Sequence, residues 1–220
     1  MRRSAGLLSV VLVALSACGV EPPKDFNAFA DFAAMGKVEE VQAGLRAHPE
    51  WAKSTNPTNG RTPMHSAALL GRVEVAKLLL AAGADPNAKD TEYGATPMHV
   101  AAESGQDDYV EYLLAKKVTV DPRDNEGRTP LLAAAFGSDA NTYLVRILLD
   151  AGAAIEATDN HGFTPLLLAS IRGNHDMVKL LLERGASHAV TAGDGRTPLS
   201  AARDGNYDSV VAMLEAAGAK

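Results

Sequence analysis

Two Pro-Met-His triplets, Pro63-Met64-His65 and Pro97-Met98-His99, each set a thioether beside an imidazole. Sulfur and imidazole donors in that arrangement would suit a soft metal ion. Three more imidazoles, His161, His175 and His188, fall within one stretch of the chain. Cys18 is the only cysteine, which rules out an internal disulfide and a cysteine-based zinc cage. The carboxylates are scattered, with no spacing that demands acid–base work. A glycine-rich phosphate loop, an HExxH pair and a Gly-x-Ser-x-Gly elbow are all absent from the sequence.

The elements that must position these groups are set by composition first. The 220 residues are 46% hydrophobic and 22% charged, near the average of a soluble globular protein and enough for one domain or one large and one small. Aromatics make up only 5%, which suits helices packed through small residues better than a β-sandwich core. The net charge is −6, and loss of a leader carrying Arg2 and Arg3 would make it more negative. So acidic a surface repels polyanions, and nucleic acid is excluded as the expected partner.

Thr-Pro recurs at Thr62-Pro63, Thr96-Pro97, Thr129-Pro130, Thr164-Pro165 and Thr197-Pro198, at intervals of 34, 33, 35 and 33. A glycine stands two residues before each: Gly60, Gly94, Gly127, Gly162 and Gly195. Threonine caps a helix by accepting from a free backbone N–H, and proline suits the first turn because it has no N–H to leave unpaired. Small residues follow, as in Ala67-Ala68, Ala101-Ala102 and Ala133-Ala134, and let two helices approach closely. Gly71, Gly105 and Gly173 then end the first helix. A Val-x-x-Leu-Leu stripe predicts a second helix, centred on Leu78-Leu80, Tyr112-Leu114, Ile147-Leu149, Leu180-Leu182 and Met213-Leu214. Periodicity near 33 residues is the mark of a repeat architecture.

Helix, turn, helix and protruding loop, with Thr-Pro-Met-His-Ser-Ala at 62–67, resembles the ankyrin repeat. The resemblance implies an all-α solenoid of about six helix-turn-helix repeats with β-hairpin loops. Its expected bounds are 25–58 for a degenerate N-terminal cap, then 59–91, 92–124, 125–158, 159–192 and a short C-terminal cap at 193–220. Lys117 stands where a terminating glycine is expected, and the fourth repeat carries two extra residues within 138–142. In the resembled family the histidine after Thr-Pro is a strut between repeats, so His65 and His99 are expected to be structural. His161, His175 and His188 fall on a tip, a helix start and a loop, and point in different directions. No metal, cofactor or catalytic residue is expected, and the chain reads as a non-enzyme.

Ankyrin stacks usually meet protein partners on hairpin tips and the exposed face of each first helix. Carried through the Thr-Pro register, the tips give Arg61, Glu92, Tyr93, Asn125, Glu126, Arg128, Asn160, His161, Phe163 and Arg196. The first-helix ends give Leu69, Leu70, Glu103, Phe136, Ile171 and Arg172. Aromatic side chains and arginine are the types enriched at binding hot spots. Phe163 and Tyr93 stand out because a tip has few neighbours to cover it. Another protein, met by a monomer of this chain, is the expected partner.

Residues 1–17 have the charged, apolar and small-residue order of a secretory leader, and the apolar run is too short to span a bilayer. Leu15-Ser16-Ala17-Cys18 resembles the lipobox of bacterial lipoproteins, which implies cleavage before Cys18 and acylation of its thiol. Gly19 in place of aspartate then implies sorting to the outer membrane, facing the periplasm. Residues 18–24, with Pro22-Pro23, read as a short extended tether. The function expected from all this is an envelope-anchored binding module, an adaptor or regulator. The alternative is an immunity or inhibitor protein that neutralises an envelope-targeted toxin or enzyme.

Overall fold

The computed structural model describes residues 20–137 and 141–220, so Cys18, the leader and part of the fourth-repeat insertion lie outside it. Its helices come in pairs. The first of each pair are α1 (Phe26–Met35), α3 (Pro63–Leu69), α5 (Pro97–Glu103), α7 (Pro130–Phe136), α9 (Pro165–Ile171) and α11 (Pro198–Asp204). The second are α2 (Val38–Ala47), α4 (Val73–Ala81), α6 (Asp107–Ala115), α8 (Thr142–Asp150), α10 (His175–Glu183) and α12 (Asp208–Ala216), with one 3-10 turn at Pro49–Ala52. First helices pack on first helices and second on second, in two layers running the length of the stack. The expected all-α repeat solenoid is the fold. Its hairpin loops form no strand among the described residues, because each pairs with its neighbour through too few bonds to make a β-ladder.

Helices of seven to ten residues are too short to persist alone in water, so stacking must supply their stability. In the second-helix layer one leucine per repeat, Leu79, Leu113, Leu148, Leu181 and Leu214, has no exposed surface, and Val75, Val110, Val145, Val178 and Val210 are buried with them. Between the layers lie the small residues foreseen from the repeat, among them Ala67, Ala68, Ala101, Ala102 and Ala202. Each Thr-Pro starts its helix as capping requires. Thr129 and Thr164 accept from the N–H of Leu132 (3.4 Å) and Leu167 (3.3 Å).

In the second and third repeats histidine completes the cap and joins the repeats. The N–H of Thr62 donates to His65 Nδ1 at 3.1 Å, and His65 Nε2 donates to the Ala95 carbonyl of the next repeat at 2.9 Å. His99 does the same between Thr96 (3.2 Å) and the Arg128 carbonyl (2.9 Å). A backbone amide can only donate and a carbonyl can only accept, so both rings are neutral and carry their proton on Nε2. Neither nitrogen is left for a metal.

Departures from the repeat are absorbed locally. Lys117 takes φ +57° and Asn206 φ +55°, the left-handed conformation that glycine supplies in sister repeats. The α7–α8 connection runs from 137 to 141, against three residues in the α3–α4, α5–α6 and α9–α10 connections. At the N-terminal end an aromatic plug closes the stack: Phe29 lies 5.3 Å from Trp51, on which His48 stacks at 4.1 Å. Pro23 is buried beside Gly44 and belongs to this folded end rather than to an extended tether.

Two outcomes follow from this packing. Leu148→Ala leaves a cavity at the centre of the stack and should cost about 2–5 kcal/mol, read by urea denaturation. Burial pushes the His65 and His99 pKa values down from the ordinary histidine range. A depressed histidine contributes stability above its unfolded pKa of about 6.5 and loses it as pH falls toward the folded value, because only the unfolded chain takes up the proton. The melting temperature should therefore drop as the pH falls below about 6.5, and His65→Leu with His99→Leu should flatten that slope even if it lowers the plateau.

Candidate interaction face

The hairpin tips are bolted to one another through the backbone. Thr91 N–H donates to the Asn59 carbonyl (2.9 Å), Asn125 to Tyr93 (2.8 Å), Asn160 to Glu126 (2.9 Å) and Gly193 to His161 (2.9 Å). The approach is so close that a Cβ on Gly127 would meet the Asn160 backbone nitrogen at 3.1 Å, and Gly127 sits at φ +75°. Both facts demand glycine.

Each tip is also braced from within by an aspartate or asparagine that the sequence reading did not single out. Asp90 Oδ1 accepts from the N–H of Tyr93 (2.8 Å) and Ala95 (3.2 Å). Asp124 accepts from Glu126 (2.9 Å) and Arg128 (2.8 Å), and Asp159 from His161 and Phe163, both at 2.9 Å. The recurrence of Asn56, Asp90, Asp124 and Asp159 five or six residues before the first four Thr-Pro threonines was the available signal. With the backbone held, Tyr93, Asn125, Glu126, Asn160 and His161 present exposed side chains from fixed positions. Asn160 spends one of its donors on the Asn125 carbonyl at 3.1 Å.

The residues singled out in the sequence divide into three kinds. Leu69, Leu70, Tyr93 and Phe136 are large apolar groups left between 43% and 45% exposed, and Glu92 and Glu103 are exposed among them. Phe163 and Ile171 are half-buried instead, packed together on Leu167, Ala192 and Ala201, so the tip phenylalanine is partly a core residue. Its ring folds inward because the next repeat offers an apolar seat. The arginines form the third kind. Arg61 Nε lies 3.5 Å from the wholly buried carboxylate of Asp90. Arg128 pairs with Asp124 (2.8 Å) and Glu126 (3.4 Å). Burial is the largest single effect and opposes the Arg128 charge, but the Asp124 hydrogen bond together with the charges of Asp124, Glu126 and Glu103 outweighs it and raises the pKa. Arg196 pairs with Asp194 (2.7 Å) and lies 5.0 Å over the Phe163 ring. Arg172 is exposed and lies 4.7 Å over the Phe136 ring.

Between the last two tips is an open concavity of about 700 Å³, lined by Asn160, His161, Gly162, Phe163, Gly193, Asp194 and Arg196. Among the described residues no three His, Cys, Asp or Glu side chains converge as a metal-binding group. The sequence reading overlooked Met35, at 59% the most exposed large apolar residue among the described residues, and its neighbour Val38. Met35 precedes Gly36 (φ +76°) as Leu70 precedes Gly71, but the cap repeat lacks the Thr-Pro that carried the register elsewhere.

A model of three consecutive ankyrin repeats matches residues 89–159 and 138–220, and a single-repeat model matches 59–91. The chain belongs to the ankyrin repeat family. No curated protein matches it. Ankyrin repeats are protein–protein interaction modules and are generally not enzymes, so this ankyrin protein carries the architecture of a binding module. Its face differs from the resemblance-based expectation mainly in the arginines, most of which brace the tips. Gly127→Ala should destabilise the ankyrin stack by more than about 1 kcal/mol and speed hydrogen exchange at the Asn160 amide, which checks that the tip ladder is what holds this face rigid.

Proposed function

We propose that this ankyrin protein is a non-enzymatic adaptor or regulator, lipid-anchored through Cys18 at the periplasmic side of a bacterial outer membrane, that grips one protein partner. The observation that carries the binding reading is the set of large apolar side chains, Leu69, Leu70, Tyr93 and Phe136, held in water on the tips and first-helix ends of a braced stack. Water around such groups is released when a partner covers them, and a fixed backbone reduces the entropy lost on binding. The anchoring reading rests on the leader pattern and on the chain's one cysteine falling at its end. Acylation by more than one chain would hold the protein stably at a membrane.

The two halves are tested separately. Leu70→Asp with Tyr93→Ala should leave the melting temperature within a few degrees of the parent, because both side chains are exposed, and should abolish the proteins recovered with the chain after fixation in cells. Recovery of the same set by the double variant contradicts this face. Metabolic labelling with an alkyne fatty acid should mark the parent and not Cys18→Ala; an unlabelled parent contradicts the anchor.

A further inference from the structure

Of the four arginines placed on the interaction face, three are neutralised by the chain itself. Asp90, Asp124 and Asp194 lie beside Arg61, Arg128 and Arg196. Glu126 also reaches Arg128, and Glu103 lies close enough to add to its charge stabilisation. Arg172 is different. Among the described residues its guanidinium has no carboxylate partner and donates no hydrogen bond, and its contact is with the Phe136 ring at 4.7 Å. That ring is itself 43% exposed.

A guanidinium lying over an aromatic ring uses its flat face and leaves its in-plane N–H donors free. Those donors match the two oxygens of a carboxylate, and the ring limits the rotamer freedom that the arginine would otherwise lose on binding. The uncovered part of Phe136, with half-buried Ile171 beside Arg172 in the chain, supplies apolar surface next to the charge. On this face of a chain of net charge −6, the one arginine without a carboxylate partner among the described residues stands where apolar surface is also uncovered.

Taking the interaction-face reading as its basis, we infer that the partner docks an acidic segment here, with an aspartate or glutamate carboxylate on Arg172 and a neighbouring apolar side chain on Phe136. Exposed Glu92 and Glu103 of the third repeat and Glu126 at the tip of the fourth disfavour a longer acidic stretch running toward them. The acidic segment is thus expected to be short and to lie over the fourth and fifth repeats. Binding weakens as salt screens the pair.

The test is selection from a random peptide library displayed on phage, against the purified full chain in detergent. Enriched peptides should carry an acidic residue next to a large apolar one. A synthetic copy of the best should bind Arg172→Ala and Arg172→Lys at least about tenfold more weakly than the parent. Phe136→Ala should weaken the same peptide, while all three variants keep the parent melting curve. Arg172→Glu should turn the selection toward lysine and arginine. Peptides without acidic preference that still lose binding on Tyr93→Ala or Leu70→Asp overturn this inference and leave the interaction face standing. Binders insensitive to every one of these changes, or no binders, contradict both.

Discussion

Each repeat of this chain has two apolar sides and no means of burying either alone. A seven-residue first helix and a nine-residue second helix remove their leucines, valines and alanines from water only when another pair lies against them. Stability is therefore stored between repeats rather than within them. The joints are consistent with this: the His65 and His99 struts, the Tyr109 hydroxyl donating to the Met64 carbonyl at 2.9 Å, and the backbone bonds between tips all cross from one repeat to another. At the ends the rule must be broken. The N-terminal repeat closes with Phe29, Trp51 and His48, and the C-terminal one turns exposed Arg203, Asp204, Asp208 and Glu215 toward solvent.

The same coupling decides where function can reside. A backbone whose tips are tied at four places has little freedom to close around a small substrate, but it holds side chains at fixed spacing over a long surface. Polar groups that might have served chemistry are spent on architecture. Both imidazoles of the Pro-Met-His triplets have donor and acceptor occupied, and Asp90, Asp124 and Asp159 each spend Oδ1 on tip amides. What the face leaves open to a partner includes apolar surface, the exposed Glu92 and Glu103, and one stacked arginine.

Much of the fold was legible because the repeat reports itself several times over. Leu79, Leu113, Leu148, Leu181 and Leu214 could be placed by spacing alone, and the left-handed conformation at Lys117 follows from its sister glycines although lysine disfavours it. The face was legible by position but less so by exposure. Phe163 shares the register of Arg61 and Arg196, yet its ring turns inward onto Leu167 and Ala192, a tertiary choice that a tip sequence does not encode. The pairing of Arg128 with Asp124 and of Arg196 with Asp194 lay within four residues in the chain and was readable once the tip aspartates were recognised as braces. Met35 was missed because only the cap repeat lacks the Thr-Pro marker. The lipobox reading rests on residues outside the described structure.

The claim that one face of the stack holds a protein partner is tested most directly by a photo-crosslinking amino acid placed, in living cells, at single positions on both layers. Sites at Tyr93 and Phe136 on the tip and first-helix face should give a discrete adduct with one protein, while Arg146 and Lys179, exposed on second helices α8 and α10, should give none. Adducts from Arg146 and Lys179 with none from Tyr93 and Phe136 would contradict it.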